Sequence, residues 1–255
     1  MDNNNKEKFH ENYIEGRNAV LEAFRSGKTI DKLFVLDGCQ DGPIKSITRE
    51  ARKHDAIINY VAKERLDQMS ETGKRQGVIA VSAAYENAEV SDILENAERK
   101  GEPPFIIILD GIEDPHNLGA IIRTANQAGA HGIIIPKRRA VGLTPTVAKT
   151  SAGAINYTPV AKVTNISNTI KELKEKGMWF VCADMGGTTM YDLNLTGPIG
   201  LVIGNEGDGV SKLVKENCDM TASIPMVGDI DSLNASVATG VLAYEIVRQR
   251  LKSGK

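Results

Sequence analysis

The feature that most constrains the fold is a series of short, almost wholly apolar runs in the second half of the chain. The runs FIIILDG, GIIIP, MWFVCAD and IGLVIGN are separated or followed by the helical patterns LGAIIRTANQAG, NTIKELKEKG and ASVATGVLAYEIVRQRL. Parallel strands that are buried on both faces have this composition. From Phe105 onward the sequence therefore predicts an α/β domain with a mostly parallel sheet and helices on both faces.

Open α/β sheets bind their ligands beyond the carboxyl ends of the strands. The loops that follow FIIILD, GLVIG and SIP are therefore where we expect the chemistry of this domain.

Residues 16–84 alternate differently, with the helical patterns GRNAVLEAFRSG and PIKSITREARKH between the strand patterns KLFVLDG, AIINYVA and GVIAVSA. This short spacing predicts a small α/β layer domain over residues 1–84. The polar stretch 85–104 contains one short helical pattern, SDILENAERK, and ends in Gly-Glu-Pro-Pro, which is typical of a linker. We therefore expect a second domain over residues 105–255.

Composition excludes several classes of protein. Hydrophobic residues make up 41% of the chain and charged residues 25%, as in ordinary soluble domains. No apolar run approaches the ~20 residues that span a bilayer, and the N-terminus MDNNNKEKFH lacks the apolar core of a secretory signal, so we expect a cytoplasmic protein. The cysteines form no C-x-x-C pattern and the histidines no i, i+4 pair, so neither a disulfide framework nor a metal site is expected: Cys39, Cys182, Cys218, His10, His54, His116 and His131.

The net charge of −2 argues against an extended nucleic-acid surface, because phosphate binding usually leaves a basic footprint. Positive and negative charges are nearly balanced on both sides of Glu86. An RNA-facing surface would therefore be a local patch, for which Lys137-Arg138-Arg139 and Lys74-Arg75 are candidates. A short basic cluster is more often a solvated loop.

Three segments carry residues suited to chemistry. The first, DPHNLGAIIRTANQAGA, follows the strand that ends at Asp110. Asn117 is expected to cap the helix, Gly119 to allow a close backbone approach, and Arg123 to project from the second turn. An ordinary capped helix with one surface arginine explains this segment equally well.

The second segment, LVIGNEGDGV, is a buried strand that runs into a glycine-rich loop, with Ser211 as a candidate cap for the helix after it. Its order G-x-x-G-x-G is not the dinucleotide fingerprint, and it lacks the lysine of a phosphate loop. Glu206, taken alone, is a solvated turn residue.

The third segment, SIPMVGDIDSLNASVATGVLAYEIVRQR, is a short strand, a loop and a long helix that begins after Ser232-Leu233-Asn234. Serine and asparagine at this position are usually caps. Leu233 is apolar between two polar residues, and it is suited to lie against an adenine ring.

In order and spacing, the three segments together resemble the SpoU branch of the SPOUT RNA methyltransferases. The shared motifs are N-x-G-x-x-x-R from Asn117 to Arg123, G-N-E-G-x-G from Gly204 to Gly209, and I-P-M with S-L-N-x-S-V-A between Ile224 and Ala238. The resemblance covers residues 105–251. More loosely, EGRNAVLEAF and RQGVIAV are similar to the L30e-like, ribosomal-protein-like domain that binds substrate in bacterial 23S ribosomal RNA guanosine 2′-O-methyltransferases.

The resemblance implies a C-terminal trefoil knot whose loops bind S-adenosylmethionine in a bent form. Residues at matching positions would contact this cofactor: Ile203, Gly204, Asn205, Ile224, Met226 and Leu233. A second set would form the catalytic site: Asn117, Arg123, Glu206, Ser232 and Asn234.

The resemblance also implies roles for the catalytic set. A guanidinium stays protonated in proteins, so Arg123 would stabilise developing alkoxide charge or align an RNA phosphate that receives the proton. Asn117 would order Arg123 or the ribose, and Glu206 would hold Arg123 or the acceptor. Ser232 and Asn234 would complete the pocket.

The implied reaction is methyl transfer from S-adenosylmethionine to the ribose 2′-hydroxyl of a nucleotide, expected to be guanosine, in 23S ribosomal RNA. A transfer RNA ribose or a ribosomal antibiotic-resistance site are alternatives, as is a non-catalytic RNA-binding ribosome-assembly factor. The leading domain favours ribosomal RNA, because minimal transfer-RNA enzymes of this branch usually lack one. Members of the branch are homodimers, and apolar residues of the closing helix would pack at that interface or in the core: Val237, Val241, Leu242, Ile246 and Val247.

Overall fold

The computed structural model describes residues 13–70, 72–83, 85–230 and 232–254. The predicted polar N-terminus, with His10, lies outside the described residues. Contacts between Cα atoms divide the chain into two compact units. The first comprises the described part of Met1–Glu86 with Gly142–Pro145, and the second comprises Asn87–Val141 with Thr146–Lys255.

The first unit is a four-stranded sheet with helices. Its strand order is β1-β4-β2-β3, in which β2 and β3 are parallel and the other pairs antiparallel. Apolar side chains from the sheet and the first two helices form its core, including Val20, Phe24, Leu33 and Ile47. The elements are β1 (Tyr13–Glu15), α1 (Arg17–Arg25), β2 (Ile30–Leu36), α2 (Gly42–Lys53), β3 (Ile57–Val61), α3 (Lys63–Met69) and β4 (Val78–Ser82).

The second unit contains a six-stranded sheet in the order β10-β8-β9-β5-β6-β7, and every strand pair is parallel. The predicted parallel sheet with accompanying helices is confirmed. The elements are α4 (Val90–Lys100), β5 (Phe105–Asp110), α5 (Pro115–Gln127), β6 (Gly132–Pro136), α6 (Pro145–Thr150), β7 (Val160–Val163), α7 (Ile166–Glu175), β8 (Trp179–Thr189), β9 (Ile199–Gly204), α8 (Lys212–Asn217), β10 (Met220–Ser223) and α9 (Ala235–Lys252), with two 3-10 turns at Ala154–Asn156 and Met190–Asp192.

Both faces of the central strands are buried. All six residues of β5 are inaccessible or nearly so. Ile106 and Ile108 belong to the core formed with α4, α7 and α8, while α5 and α9 pack on each other and contact β6 and β9 respectively. This burial on two sides is why the strands read as continuous apolar runs.

The segment 85–104 contributes structure to the second unit. Its predicted short helix is present as α4, which starts after Glu89 in a capping box with Asp92 and ends at Gly101 in the left-handed conformation. Ile93 and Ala97 are completely buried. These residues, predicted to lie in a linker, therefore form part of the packed core.

The start of β5 is held by a buried histidine. His131 Nδ1 accepts a hydrogen bond from the Phe105 backbone N–H at 2.9 Å, so Nε2 carries the proton and lies 3.1 Å from Glu102 Oε2. Burial lowers the pKa of His131, and the positive charges of Lys100 and Arg250 lower it further, whereas the bond to Glu102 opposes the shift. The folded protein therefore favours neutral His131.

We expect this histidine to make folding stability depend on pH. Its ordinary pKa is 6.5 and its folded value is lower, so below pH 6.5 the unfolded chain binds more protons and the free energy of unfolding falls. One such group contributes a slope of at most about 1.4 kcal/mol per pH unit. Urea denaturation between pH 7 and 5 should show a smaller decline for His131→Gln than for the wild type. Identical declines would contradict the assignment.

Within the described residues, no helix is both long enough and apolar enough to cross a membrane.

Candidate active site

The three segments identified in the sequence meet at the carboxyl ends of neighbouring strands. β5 and β9 are paired along their whole length, with Asp110 opposite Gly204. The loops after these two strands therefore start side by side. β8 and β10 end at the same edge, because all strands of this sheet are parallel.

The loop after β9 is a tight turn. The Asn205 side-chain oxygen accepts hydrogen bonds from the backbone N–H groups of Gly207 at 2.9 Å and Asp208 at 2.6 Å, and Gly209 donates to the Asn205 carbonyl at 3.0 Å. A Cβ atom at Gly204 would lie only 2.0 Å from the Gly209 carbonyl carbon. Only glycine at position 204 permits this fold of the loop.

A buried carboxylate joins this loop to β5. Asp110 Oδ2 accepts a hydrogen bond from the Ser211 backbone N–H at 2.8 Å. Ser211 occupies the N-cap position of α8, but its side chain makes no capping bond, so the predicted capping role of its hydroxyl is wrong.

The helix cap predicted at Asn117 is also wrong. Asp114 caps α5, since its Oδ1 accepts from the His116 backbone N–H at 3.0 Å, and Pro115 is the first helical residue. Asn117 lies inside the first turn and is 7% exposed. Its side chain is thus free for another contact. The close approach predicted at Gly119 is present, because a Cβ there would lie 2.6 Å from Thr150 Cβ.

Asn117, Glu206 and Asn234, one from each segment, form a hydrogen-bonded group that we call the polar cluster. Glu206 Oε1 accepts from Asn117 Nδ2 at 2.8 Å, from Asn234 Nδ2 at 2.6 Å and from the Ala235 backbone N–H at 3.4 Å. Asn234 Nδ2 also lies 3.0 Å from Asn117 Oδ1. The cluster fixes the carboxylate of Glu206 between α5 and α9.

Asn234 has two functions at once. Its Oδ1 accepts from the backbone N–H groups of Ser236 at 2.9 Å and Val237 at 3.4 Å, so it caps α9 as its sequence position predicts. Its Nδ2 belongs to the polar cluster. The structural and the functional interpretation of this residue are therefore compatible.

Beside the cluster lies a cavity of about 250 Å³, here called the first cavity. It brings together most of the residues that the resemblance assigns to cofactor binding and catalysis. Those predicted residues are Ile203, Gly204, Asn205, Glu206, Ile224, Met226, Ser232 and Leu233.

The sequence reasoning missed the part of this cavity that β8 and β10 contribute, namely Ala183, Asp184, Met185 and Ala222. Asp184 pairs with Lys215 at 2.8 Å. The Lys215 side chain, with the Gly186 backbone N–H, lowers the pKa of Asp184, so the cavity carries a stable anion. The sequence did contain a signal for these residues. MWFVCAD is a predicted strand of the same sheet, so its carboxyl end was also expected at the ligand-binding edge.

Arg123 is exposed on the third turn of α5, one turn later than predicted. It lies six positions after Asn117, about 9 Å along the axis and on a different side of the helix. Among the described residues none accepts a hydrogen bond or ion pair from its guanidinium, so the structure does not connect Arg123 to the polar cluster.

Comparison with known proteins assigns the chain to a family. Residues 104–244 match the SpoU rRNA Methylase family, and residues 13–88 match the substrate-binding domain of RNA 2′-O ribose methyltransferases. A Bacillus subtilis protein assigned to the TrmH family of tRNA/rRNA methyltransferases is 50% identical over 245 residues, which cover 95% of this chain and 98% of the relative. The chain belongs to the SpoU family. A TrmH-family relative from Staphylococcus haemolyticus is 46% identical over 242 residues, 94% of this chain and 97% of the relative.

Solved SpoU structures share the fold. AviRb from Streptomyces viridochromogenes, crystallised in complex with AdoMet, has a TM-score of 0.60 at 26% identity and covers 94% of this chain and 90% of its own. The TrmH/SpoU tRNA modifying enzyme of A. aeolicus has a TM-score of 0.54 at 28% identity, over 64% of this chain and 86% of its own. The resemblance of the sequence to the SpoU branch is confirmed, and this SpoU-family chain is an RNA methyltransferase.

Proposed function

We propose that this SpoU-family protein transfers the methyl group of S-adenosylmethionine to the ribose 2′-hydroxyl of a guanosine in 23S ribosomal RNA. The observation that carries the proposal is the convergence of the three motif segments on one site. Asn117, Glu206 and Asn234 come from sequence positions far apart, and they are hydrogen-bonded to one another beside the first cavity. Such a convergence is expected of a site that binds two reactants next to each other.

The lining of the first cavity fits the proposed donor. Ile203, Ile224 and Leu233 supply apolar surface for an adenine ring, and the turn at Gly204 brings backbone groups close to the cavity. Asp184 adds a carboxylate that can accept hydrogen bonds from hydroxyl or ammonium groups. AviRb, which is similar over nearly its whole length, was crystallised with this cofactor.

When bound, S-adenosylmethionine supplies an activated methyl group on a sulfonium leaving group. The task of the chain is then positioning, and holding two reactants in line can contribute ~7–11 kcal/mol. Glu206 is suited to hold the acceptor hydroxyl. Its Oε1 is occupied by Asn117, Asn234 and Ala235, whereas no described residue donates to Oε2.

Arg123 has the complementary role in this proposal. Its guanidinium is exposed and makes no hydrogen bond within the described residues, so it is available to an RNA phosphate. A guanidinium donates hydrogen bonds and accepts none, so it can align a phosphate that receives the hydroxyl proton or stabilise developing negative charge.

We assign recognition of the RNA to residues 1–84 and catalysis to residues 105–255, and residues 85–104, whose helix α4 packs in the second unit, join the two. The match of residues 13–88 to a substrate-binding domain supports this division. An L30e-like fold for the first part and a trefoil knot for the second are part of the proposal, as they follow from the resemblance to the family.

We also propose a homodimer formed through α9. Of the residues suggested for this interface, Leu242 and Ile246 are buried within the chain's own core, so they are not available. Val237, Tyr244 and Leu251 are 49%, 51% and 69% exposed and repeat every seven residues, which places them along one side of the helix. An exposed apolar stripe of this kind is suited to a second copy of the same helix.

The experiment that tests the proposed function uses the purified full-length protein, labelled S-adenosylmethionine, and 23S ribosomal RNA transcribed in fragments. Digestion to nucleosides followed by mass spectrometry should reveal 2′-O-methylguanosine in one fragment. Methylation on a base, or no incorporation of label into any RNA, would overturn the proposal.

A transfer RNA substrate is the second candidate, and one observation favours it. The A. aeolicus tRNA modifying enzyme is similar to 64% of this chain, while the family name of the curated relatives covers both tRNA and rRNA. The same assay with unmodified transfer RNA distinguishes the two substrates, because only the true one should carry a ribose-methylated nucleoside.

Replacement of Glu206 by glutamine tests the role of its carboxylate. The glutamine side chain keeps one oxygen for Asn117, Asn234 and Ala235 but presents an amide nitrogen in place of Oε2. We expect kcat to fall by about 10²-fold or more, because the amide nitrogen cannot accept the hydrogen bond that holds the acceptor hydroxyl in place, with an unchanged Kd for the donor. Calorimetry and single-turnover kinetics measure the two quantities separately. An unchanged kcat would show that the carboxylate has no part in the reaction.

A further inference from the structure

Asp184 is the least exposed of the carboxylates that line the first cavity. Among the described residues of this lining, Asp184, Glu206 and Asp208 are acidic, and none is a lysine, an arginine or a histidine. Glu206 and Asp208 are exposed, whereas only 30% of the Asp184 side chain is accessible. A charge that is partly withdrawn from water acts more strongly on its neighbours. Of the three, Asp184 is therefore the carboxylate best placed to act on a charged ligand in the cavity.

Two neighbours fix the Asp184 carboxylate in one orientation. Its Oδ2 lies 2.8 Å from Lys215 Nζ, and its Oδ1 accepts a hydrogen bond from the Gly186 backbone N–H at 3.0 Å. The bond to Lys215 and the bond to Gly186 both lower the pKa of Asp184, so the group is charged at neutral pH. Lys215 lies on α8 and is absent from the lining of the cavity, so the carboxylate faces the ligand and the ammonium group stands behind it.

The methyl donor and its product differ at one atom and by one charge. S-adenosylmethionine carries a sulfonium, and transfer of its methyl group leaves S-adenosylhomocysteine, in which the same sulfur is a neutral thioether. The adenosine and the amino-acid group are identical in the two molecules. Specificity is a difference of two affinities, so a cavity can separate these ligands only through the space for one methyl group and the electrostatic field at the sulfur.

The size of the cavity makes such a field effective. With a volume of about 250 Å³, the first cavity keeps every atom of a bound ligand close to its walls. Two unit charges that are held several ångströms apart near a protein surface still interact measurably, and salt screens them only in part. A sulfonium bound anywhere in this cavity therefore lies within the field of Asp184, even without direct contact.

From these observations we infer that Asp184 is a specificity-determining residue, which makes the first cavity prefer the sulfonium donor to the thioether product. Lys215 limits this preference, because its ammonium group compensates part of the carboxylate charge. The inference rests on the placement of the donor in the first cavity, which belongs to the proposed function. Its consequence is that the product is exchanged more readily for a new donor after each turnover.

The test measures the Kd of both ligands for Asp184→Asn by isothermal titration of the full-length protein. Asparagine keeps the shape of the side chain and an oxygen for the Gly186 N–H, but it removes the charge. We expect the Kd for S-adenosylmethionine to rise about threefold to tenfold and the Kd for S-adenosylhomocysteine to change by less than about twofold. A damaged cavity wall would weaken both ligands alike, so the ratio of the two Kd values reports the charge.

Asp219→Asn is the matched control. Asp219 has the same kinds of partner as Asp184, with Lys174 Nζ at 2.6 Å and the Phe180 backbone N–H at 2.9 Å, but it does not line the cavity. Its ratio of Kd values should equal that of the wild type. An equal change of the ratio in Asp184→Asn and Asp219→Asn would contradict a local effect of Asp184.

Lys215→Met changes the charge in the opposite direction, because it leaves the carboxylate without its compensating cation. We expect the preference for the donor to increase, whereas a mere disturbance of the wall would not strengthen it. Sinefungin carries an ammonium group in place of the methylated sulfonium, so its Kd should follow that of the donor in both variants. If the wild type binds the donor but Asp184→Asn leaves the ratio unchanged, the inference fails and the proposed function stands. If the wild type binds neither ligand, the proposed function fails as well.

Discussion

Arg123→Ala is expected to abolish methyl transfer and to leave the binding of S-adenosylmethionine intact. Arg123 is exposed on α5 and is absent from the lining of the first cavity, so its removal leaves the donor site unchanged. Groups that stabilise charge developing in a transition state are worth about 10²- to 10³-fold each in kcat, and alignment of the RNA phosphate would add to this. Single-turnover methylation of 23S ribosomal RNA measures the effect.

Arg99→Ala is the matched control, because it removes the same charge from another exposed helical position of the second unit. Its turnover should match the wild type. Arg123→Lys keeps the charge but loses the planar two-pronged donor, and we expect it to recover little activity. Normal turnover in Arg123→Ala would refute the assigned role, and weaker donor binding would place Arg123 in the donor site instead.

Gly204→Ala is expected to remove donor binding and to destabilise the protein. The new Cβ would lie 2.0 Å from the carbonyl carbon of Gly209 and 2.2 Å from the Val210 nitrogen, both of them backbone atoms that cannot rotate away. The loop 205–209 would have to move. We expect the free energy of unfolding, measured in urea, to fall by about 3 kcal/mol or more, as for severe overpacking.

Gly207→Ala is the control in the same loop. A Cβ at Gly207 meets only the Asn205 side-chain oxygen, at an ordinary 3.5 Å. This variant should keep its stability within about 1 kcal/mol of the wild type. Wild-type donor affinity in Gly204→Ala would show that the tight turn after β9 is unnecessary for the donor site.

The parallel sheet could be predicted from the sequence because its strands are buried on both faces and read as uninterrupted apolar runs. Shorter or half-exposed strands could not be predicted in this way, because they have no uninterrupted apolar run. β1 has three residues, too few for a period, and it forms only by pairing with β4. β7 reads VAKV, half of it partly exposed at the edge of the sheet, where burial leaves a weak signal.

The candidate site shows a different limit. Motif spacing identified Asn117, Glu206 and Asn234, but local rules misjudged Asn117 as a helix cap, because Asp114 three residues earlier also satisfies them. The side chain of Asn117 instead bonds to Glu206, which lies 89 positions later in the sequence. A local rule cannot include so distant a partner.

The remaining site residues depend on pairing between strands that are distant in sequence. Asp184 lines the first cavity because β8 lies beside β9, and Asp110 lies opposite Gly204 because β5 pairs with β9 in register. No spacing within one segment expresses these neighbours, so sequence patterns alone could not reveal them.

We propose that the loops at the ends of β8, β9 and β10 together form one binding site for the methyl donor, on which the proposed reaction depends. Isothermal titration of the full-length wild-type protein with S-adenosylmethionine measures this binding. We expect saturable binding of one donor per chain, lost in Gly204→Ala and retained in Gly207→Ala and Arg123→Ala. A folded wild-type protein that shows no binding at millimolar donor would contradict it.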